Sequence, residues 1–93
     1  MNTPSISSYG QYSSNNYGVH TKKLVLENIT LYYSYEIIVA YYDFTDGKVV
    51  SVNQWGTTTG KHLNWIDNGD KKNRKPAEVF DAMLKAACLR HNI

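Results

Sequence analysis

Ten consecutive residues, YEIIVAYYDF at positions 35–44, limit what this chain can fold into more than any other stretch. Along a strand, successive side chains point to opposite faces. Ile37 and Val39 fall on one face of the run, Ile38 and Ala40 on the other, so both faces are apolar. A strand of that kind belongs in the middle of a sheet with cover on each side. Asp46-Gly47 follows as a hairpin turn, and KVVSVN (48–53) is the returning strand. Upstream, KKLVLE (22–27) and NITLYYS (28–34) read as two more strands with Glu27-Asn28 as the turn between them.

Past Trp55 the apolar spacing becomes helical. Thr58 or Thr59 is placed to cap a short helix over residues 60–67, with Leu63 and Ile66 toward the sheet and Asn68-Gly69 as its stop. DKKNRK (70–75) reads as a basic, exposed loop. Pro76 suits the first turn of a final helix, and Val79, Phe80, Met83, Leu84 and Ala87 form its buried face. The expected fold is α+β: a small twisted antiparallel sheet of three or four strands packed against a C-terminal helix, plus a short helix after the TTTGKH segment. Residues 1–20 are rich in Ser, Asn, Gly and Tyr and nearly devoid of aliphatics. Residues 1–11 therefore read as a flexible arm, and 12–93 as a single α+β domain onto which 12–20 docks in extended form.

At 93 residues the chain has room for one domain. No apolar run is long enough to span a bilayer, so no membrane partner is expected, and a single cysteine, Cys88, fits a reducing cytosol. Charge is uneven. Residues 1–47 carry two basic and four acidic side chains; residues 48–93 carry eight basic and four acidic. The second half thus has a mild attraction for anions, nucleic acid among them.

The densest run of chemically capable residues is NQWGTTTGKHLN at 53–64. Where a strand gives way to a helix, free N–H groups, the Thr58 and Thr59 hydroxyls and Lys61 can converge on an oxyanion. It is not a nucleotide-hydrolase loop: three residues rather than four separate its glycines, and His62 stands where a magnesium-binding hydroxyl is needed. The same residues also read as a Thr-capped helix with a solvated lysine. The phosphate- or nucleic-acid-binding set is Thr58, Thr59, Gly60, Lys61, His62 and Asn64, with Lys71, Lys72 and Arg74 from the basic loop. Eight tyrosines with Trp55 and Trp65 read either as stacking platforms for unpaired bases or as sheet core. His62 has no carboxylate pair beside it, and Cys88 and His91 alone do not make a metal site, so no catalytic residues, metal or cofactor are expected.

Three segments carry a resemblance: Asn16-Tyr17-Gly18-Val19-His20, Tyr33-Ser34-Tyr35, and Thr58-Thr59-Gly60-Lys61-His62-Leu63-Asn64. In these the chain, over roughly residues 9–74, resembles a family of small uncharacterised bacteriophage proteins with NYGxH and TTGKHLN segments. It departs from that pattern where the usual Phe-Ser-Tyr is Tyr-Ser-Tyr. The resemblance implies a phage origin, a home in the host cytoplasm and a place for 12–20 in the folded domain; it supplies no activity. With 12–20 docked, Tyr17, His20, Ser34 and Tyr35 would join Thr58, Thr59, Lys61, His62 and Asn64 in one polar cluster. The resulting expectation is a non-enzymatic binding protein contacting nucleic acid or a nucleotide phosphate. The alternative is a host-directed, anti-defence inhibitor working through a protein–protein surface, to which tyrosines are suited. An exposed sheet edge in so small a domain also makes a homodimer plausible.

Overall fold

The computed structural model describes residues 4–10 and 20–93. Five strands form one antiparallel meander: β1 (Ser5–Ser7), β2 (Thr21–Val25), β3 (Ile29–Ser34), β4 (Ile37–Asp43) and β5 (Gly47–Val50). Two helices follow, α1 (Thr57–Asp67) and α2 (Ala77–Arg90), with a 3₁₀ turn at Lys71–Asn73 between them. The α+β class holds, and the strand count is five rather than three or four. The extra strand comes from the segment whose composition reads as an arm: Ser5–Ser7 pair with Val25, Leu24 and Lys23. Backbone pairing needs no aliphatic side chains, so composition gave no sign of it.

Helices cover both faces of the sheet. Val39, Ala40 and Val50 lie under Leu63 and Ile66 of α1, joined by Tyr9 and Tyr32. Ile29, Leu31, Tyr41 and Val49 lie under Phe80 and Ala87 of α2. Of the expected buried face of α2, Met83 and Leu84 are partly buried, but Val79 is exposed. The doubly apolar run at 35–44 is thus the central layer of three, though strict alternation along it fails. Tyr32 pairs with Ala40 and Tyr33 with Ile38, leaving Val39 as the extra residue of a β-bulge. The bulge turns Val39 and Ala40 toward the same helix, α1, instead of opposite ones.

Two turns also differ from expectation. Tyr35 and Glu36 form the β3–β4 turn rather than the start of β4, and Tyr35 takes φ 58°. Left-handed backbone is uncommon for a bulky residue. The short helix begins at Thr57, three residues early, and its N-cap is Gly56 rather than a threonine. Asn53 does the local work: its Oδ1 accepts from the N–H groups of Trp55 (3.0 Å) and Gly56 (3.3 Å), and its Nδ2 donates to the Gly56 carbonyl (2.9 Å). Gly60 leaves room beside it: a Cβ there would sit 3.0 Å from Asn53 Nδ2 and require that amide to shift. At the other end Asn68 adopts the left-handed C-cap (φ 56°), and the Gly69 N–H bonds the Asn64 carbonyl at 3.1 Å, the expected stop.

Candidate functional site

α1 is pinned to the sheet by a dry polar knot. Ser34, the last residue of β3, has its Oγ 2.9 Å from Thr59 Oγ1 and 2.7 Å from His62 Nδ1. Ser34 is 1% exposed and His62 fully buried. The helix supplies Thr59 and His62 at a spacing of three, so both meet the same strand end. Over the knot sits Tyr35, its ring centroid 6.1 Å from that of His62 and stacked on His20 at 4.1 Å. The Tyr35 N–H bonds the His20 carbonyl (2.9 Å), which fixes the start of β2 beside the turn. Tyr9 closes another side, edge-on to His62 and Tyr32, with its hydroxyl donating to the Tyr33 carbonyl at 2.8 Å.

A second knot joins α1 to the basic loop. Arg74 grips Asp67 through Nε (2.7 Å) and Nη2 (3.0 Å), and Nη2 also donates to Asn64 Oδ1 at 3.0 Å. Both ionic side chains are nearly buried. Burial works against the Asp67 charge, yet the Arg74 hydrogen bond and charge, with the Gly69 and Asp70 N–H groups, hold its carboxyl below the usual range. Beside this knot run two clefts that share Asn64. Val52, Asn53, Gly60, Lys71 and Arg74 line one; Lys48, Trp65, Asp67, Asn68 and Asp70 are among the residues lining the other.

The predicted site residues therefore divide. His20, Ser34, Tyr35, Thr59 and His62 do come together, but inward. Thr59 and His62 are buried in the knot and do not face an incoming phosphate, because they lie on the same helix face as Leu63 and Ile66, at spacings of three, four and seven. Gly60, Asn64, Lys71 and Arg74 share a cleft, with the Arg74 charge already committed to Asp67. Lys61 and Lys72 are exposed, and Thr58 is half-buried. Tyr17 lies outside the described residues, as does most of the 12–20 segment. Sequence reasoning missed Tyr9, assigned to the arm, and Asp67, whose partner is seven residues away across a turn.

At the far end of the molecule a third network ties α2 to the β4–β5 turn. Asp43 Oδ2 accepts from Arg90 Nη2 (2.6 Å) and lies 2.9 Å from His91 Nε2, while the Asp46 N–H donates to Asp43 Oδ1 at 2.7 Å. Burial opposes ionisation of Asp43, but these three donors outweigh it and bring its pKa down to about 2. The Tyr41 hydroxyl donates to Asp46 Oδ2 at 2.6 Å; burial first, then that bond, raises its pKa above the usual phenol value. Among the described residues no group of three His, Cys, Asp or Glu side chains is arranged to hold a metal. No helix among them is long and apolar enough to cross a membrane.

Fold and site together define a small α/β/α-layered domain with a sealed polar knot under α1 and two open clefts beside it. The profile of a family of unknown function, DUF8033, matches residues 1–82, and the chain belongs to that family. No curated protein and no solved structure matches it.

Proposed function

We propose that this is a phage-encoded, non-enzymatic binding protein of the host cytoplasm that contacts nucleic acid or a nucleotide phosphate through the outer surface of α1 and the basic loop. The observation that carries the reading is the charge of one contiguous stretch. Residues 53–76 hold five of the ten basic side chains and two of the eight acidic ones, a net of +3 on a chain whose total is +2. Lys61, Lys71 and Lys72 are exposed on that stretch, and Trp55 and Trp65 lie partly exposed among them. Lysines interleaved with aromatic rings suit a phosphate backbone with unstacked bases. The hydroxyls and imidazole of the TTTGKH segment play a different part from the lysine: Thr59 and His62 hold the helix in place, and Lys61 faces the ligand.

The test is fluorescence anisotropy with labelled DNA and RNA over a salt series. Binding should weaken steeply with salt, and Lys61→Ala or Lys71→Ala should each lower the salt slope by about one. Binding that ignores both salt and these substitutions overturns the reading.

A second reading, a host-directed inhibitor acting through a protein surface, is favoured by one observation. Phe44 at the β4–β5 turn is 89% exposed, edge-on to Tyr42, with Leu89 of α2 also exposed near the Arg90 contact to that turn. A contiguous apolar patch marks an interaction surface, and on this reading the exposed Phe44 and Tyr42 rings are its nucleus. Salt-insensitive capture of one host protein, lost in Phe44→Ser, would support it over the first.

A further inference from the structure

We infer that the cleft beside Trp65 takes an unpaired nucleobase, so that the ligand of the basic face is a single strand and not a duplex. The inference rests on the nucleic-acid reading above and sharpens it. The cleft has a volume of about 680 Å³, within the range of small-ligand sites. Its floor is apolar, made by the buried Val50 and Ile66, and the Trp65 indole stands at its wall 51% exposed. Asn64, Asn68 and Asn73 also line it. An indole face stacks on any base. With the Asn64 oxygen taken by Arg74 and the Asn73 nitrogen by Asp70, the Asn64 NH₂ is the donor and the Asn73 oxygen the acceptor toward a base edge.

Charge separates this cleft from its neighbour. Its charged lining residues are Lys48, Asp67 and Asp70, one basic against two acidic. Lys48 is drawn to the Ile66 carbonyl at 2.8 Å, and Asp70 accepts from Asn73 at 2.6 Å. With Asp67 neutralised by Arg74, Lys48 and Asp70 leave this lining with no net charge, which suits a neutral heterocycle better than a phosphate. The adjoining cleft is lined by Lys71 and by Arg74, whose charge Asp67 already takes, so Lys71 leaves it net positive. Asn64 belongs to both. One nucleotide unit can therefore straddle Asn64, its base against Trp65 and its phosphate toward Lys71. A duplex keeps its bases stacked and cannot use the first cleft.

The experiment uses the full chain carrying Trp55→Phe, so that Trp65 is the only indole. Its probes are a fluorescein-labelled thymidine strand about 15 nucleotides long, an abasic strand of equal length, and a duplex. Expected is tighter binding of the thymidine strand than of the abasic strand or the duplex by roughly five-fold or more, with quenching of Trp65. Trp65→Ala should erase that gap and leave the salt slope unchanged, and Trp65→Phe should keep part of it. Equal, salt-dependent binding of thymidine and abasic strands overturns the inference while the basic-face reading stands. A gap that survives in Trp65→Ala overturns it in the same way. No binding of any probe at low salt overturns both. Quenching by neutral oligosaccharides but not by thymidine assigns the cleft to a sugar and overturns the inference.

Discussion

The two helices are fastened to opposite faces of one sheet by polar networks of different chemistry. Under α1 the fastening is two hydroxyls and an imidazole, Ser34, Thr59 and His62, all buried. At the end of α2 it is ionic: Asp43 is fully buried, but Arg90, which grips it, is a third exposed at the rim. The first arrangement depends on the shape of a dry pocket and loses everything when a partner is removed. The second depends on charge and can be weakened by acid or salt with the fold intact.

The largest test of that contrast is His62→Ala. It opens a cavity where the imidazole was and strips the closest partner from Ser34, at a cost of roughly 2–4 kcal/mol. Urea unfolding followed by far-UV circular dichroism measures it; a cost below about 1 kcal/mol would mean that α1 is held by Leu63 and Ile66 alone.

Asp43→Asn is the matching test on the other face. At neutral pH it should cost about 2 kcal/mol, less than a fully buried pair because Arg90 remains partly solvated. The sign of the pH dependence follows from a folded-state pKa depressed to about 2. Stability from the Asp43 charge is fully present above the unfolded value near 4 and is lost as pH falls through about 2. The parent and Asp43→Asn should therefore converge in strong acid. A gap that stays constant down to pH 2 would show that the charge is not what holds α2.

Tyr35 sharpens the contrast on the α1 side, where geometry rather than charge is at stake. Tyr35→Ala and Tyr35→Gly both remove the ring that stacks on His20 and covers the knot. Only glycine is at ease at φ 58°, so the alanine variant should be less stable than the glycine variant by about 1 kcal/mol. Equal stabilities would mean the turn relaxes out of its left-handed conformation once the ring is gone.

What could be read beforehand follows the same division. Patterns of period two and 3.6 revealed the central strand, the hairpin at Gly47 and both helices, because burial of Tyr41, Leu63 or Phe80 leaves a periodic trace. The β-bulge at Val39 left none: it is a backbone irregularity inside an unbroken apolar run, and it reverses the faces of every residue after it. β1 was hidden because it joins the sheet by pairing with β2 while its three residues stay exposed, so it leaves no apolar trace. For the candidate site, residue types singled out Thr59 and His62 but did not show which way they face. Thr59 and His62 have the chemistry to meet an anion, but they share a helix face with Leu63 and Ile66, so burial of that apolar pair carries them inward. The Asp67–Arg74 and Asp43–Arg90 pairs depend on how a turn and a helix end fold back, which no local spacing encodes.

The smallest effect expected is at Asp46, and it separates the two kinds of fastening most cleanly. Its Oδ2 accepts from Arg90 at 3.0 Å and from the Tyr41 hydroxyl at 2.6 Å. Asp46→Asn keeps an oxygen for the Tyr41 hydroxyl and removes only the charge that faces Arg90. That pair lies at the rim, so the cost should be under about 1 kcal/mol in dilute buffer. In about 1 M salt, where the screening length shrinks to about 3 Å, the cost should vanish. Thr59→Val removes one hydroxyl from the buried knot at nearly constant volume, and its cost, about 1 kcal/mol, should be the same at both salt concentrations. Thermal or urea unfolding of the two variants across the salt range gives the answer. If both costs fall together, the buried knot is wetter than its burial implies; if neither falls, the Arg90–Asp46 contact is fixed by packing of the α2 terminus and its charge contributes nothing.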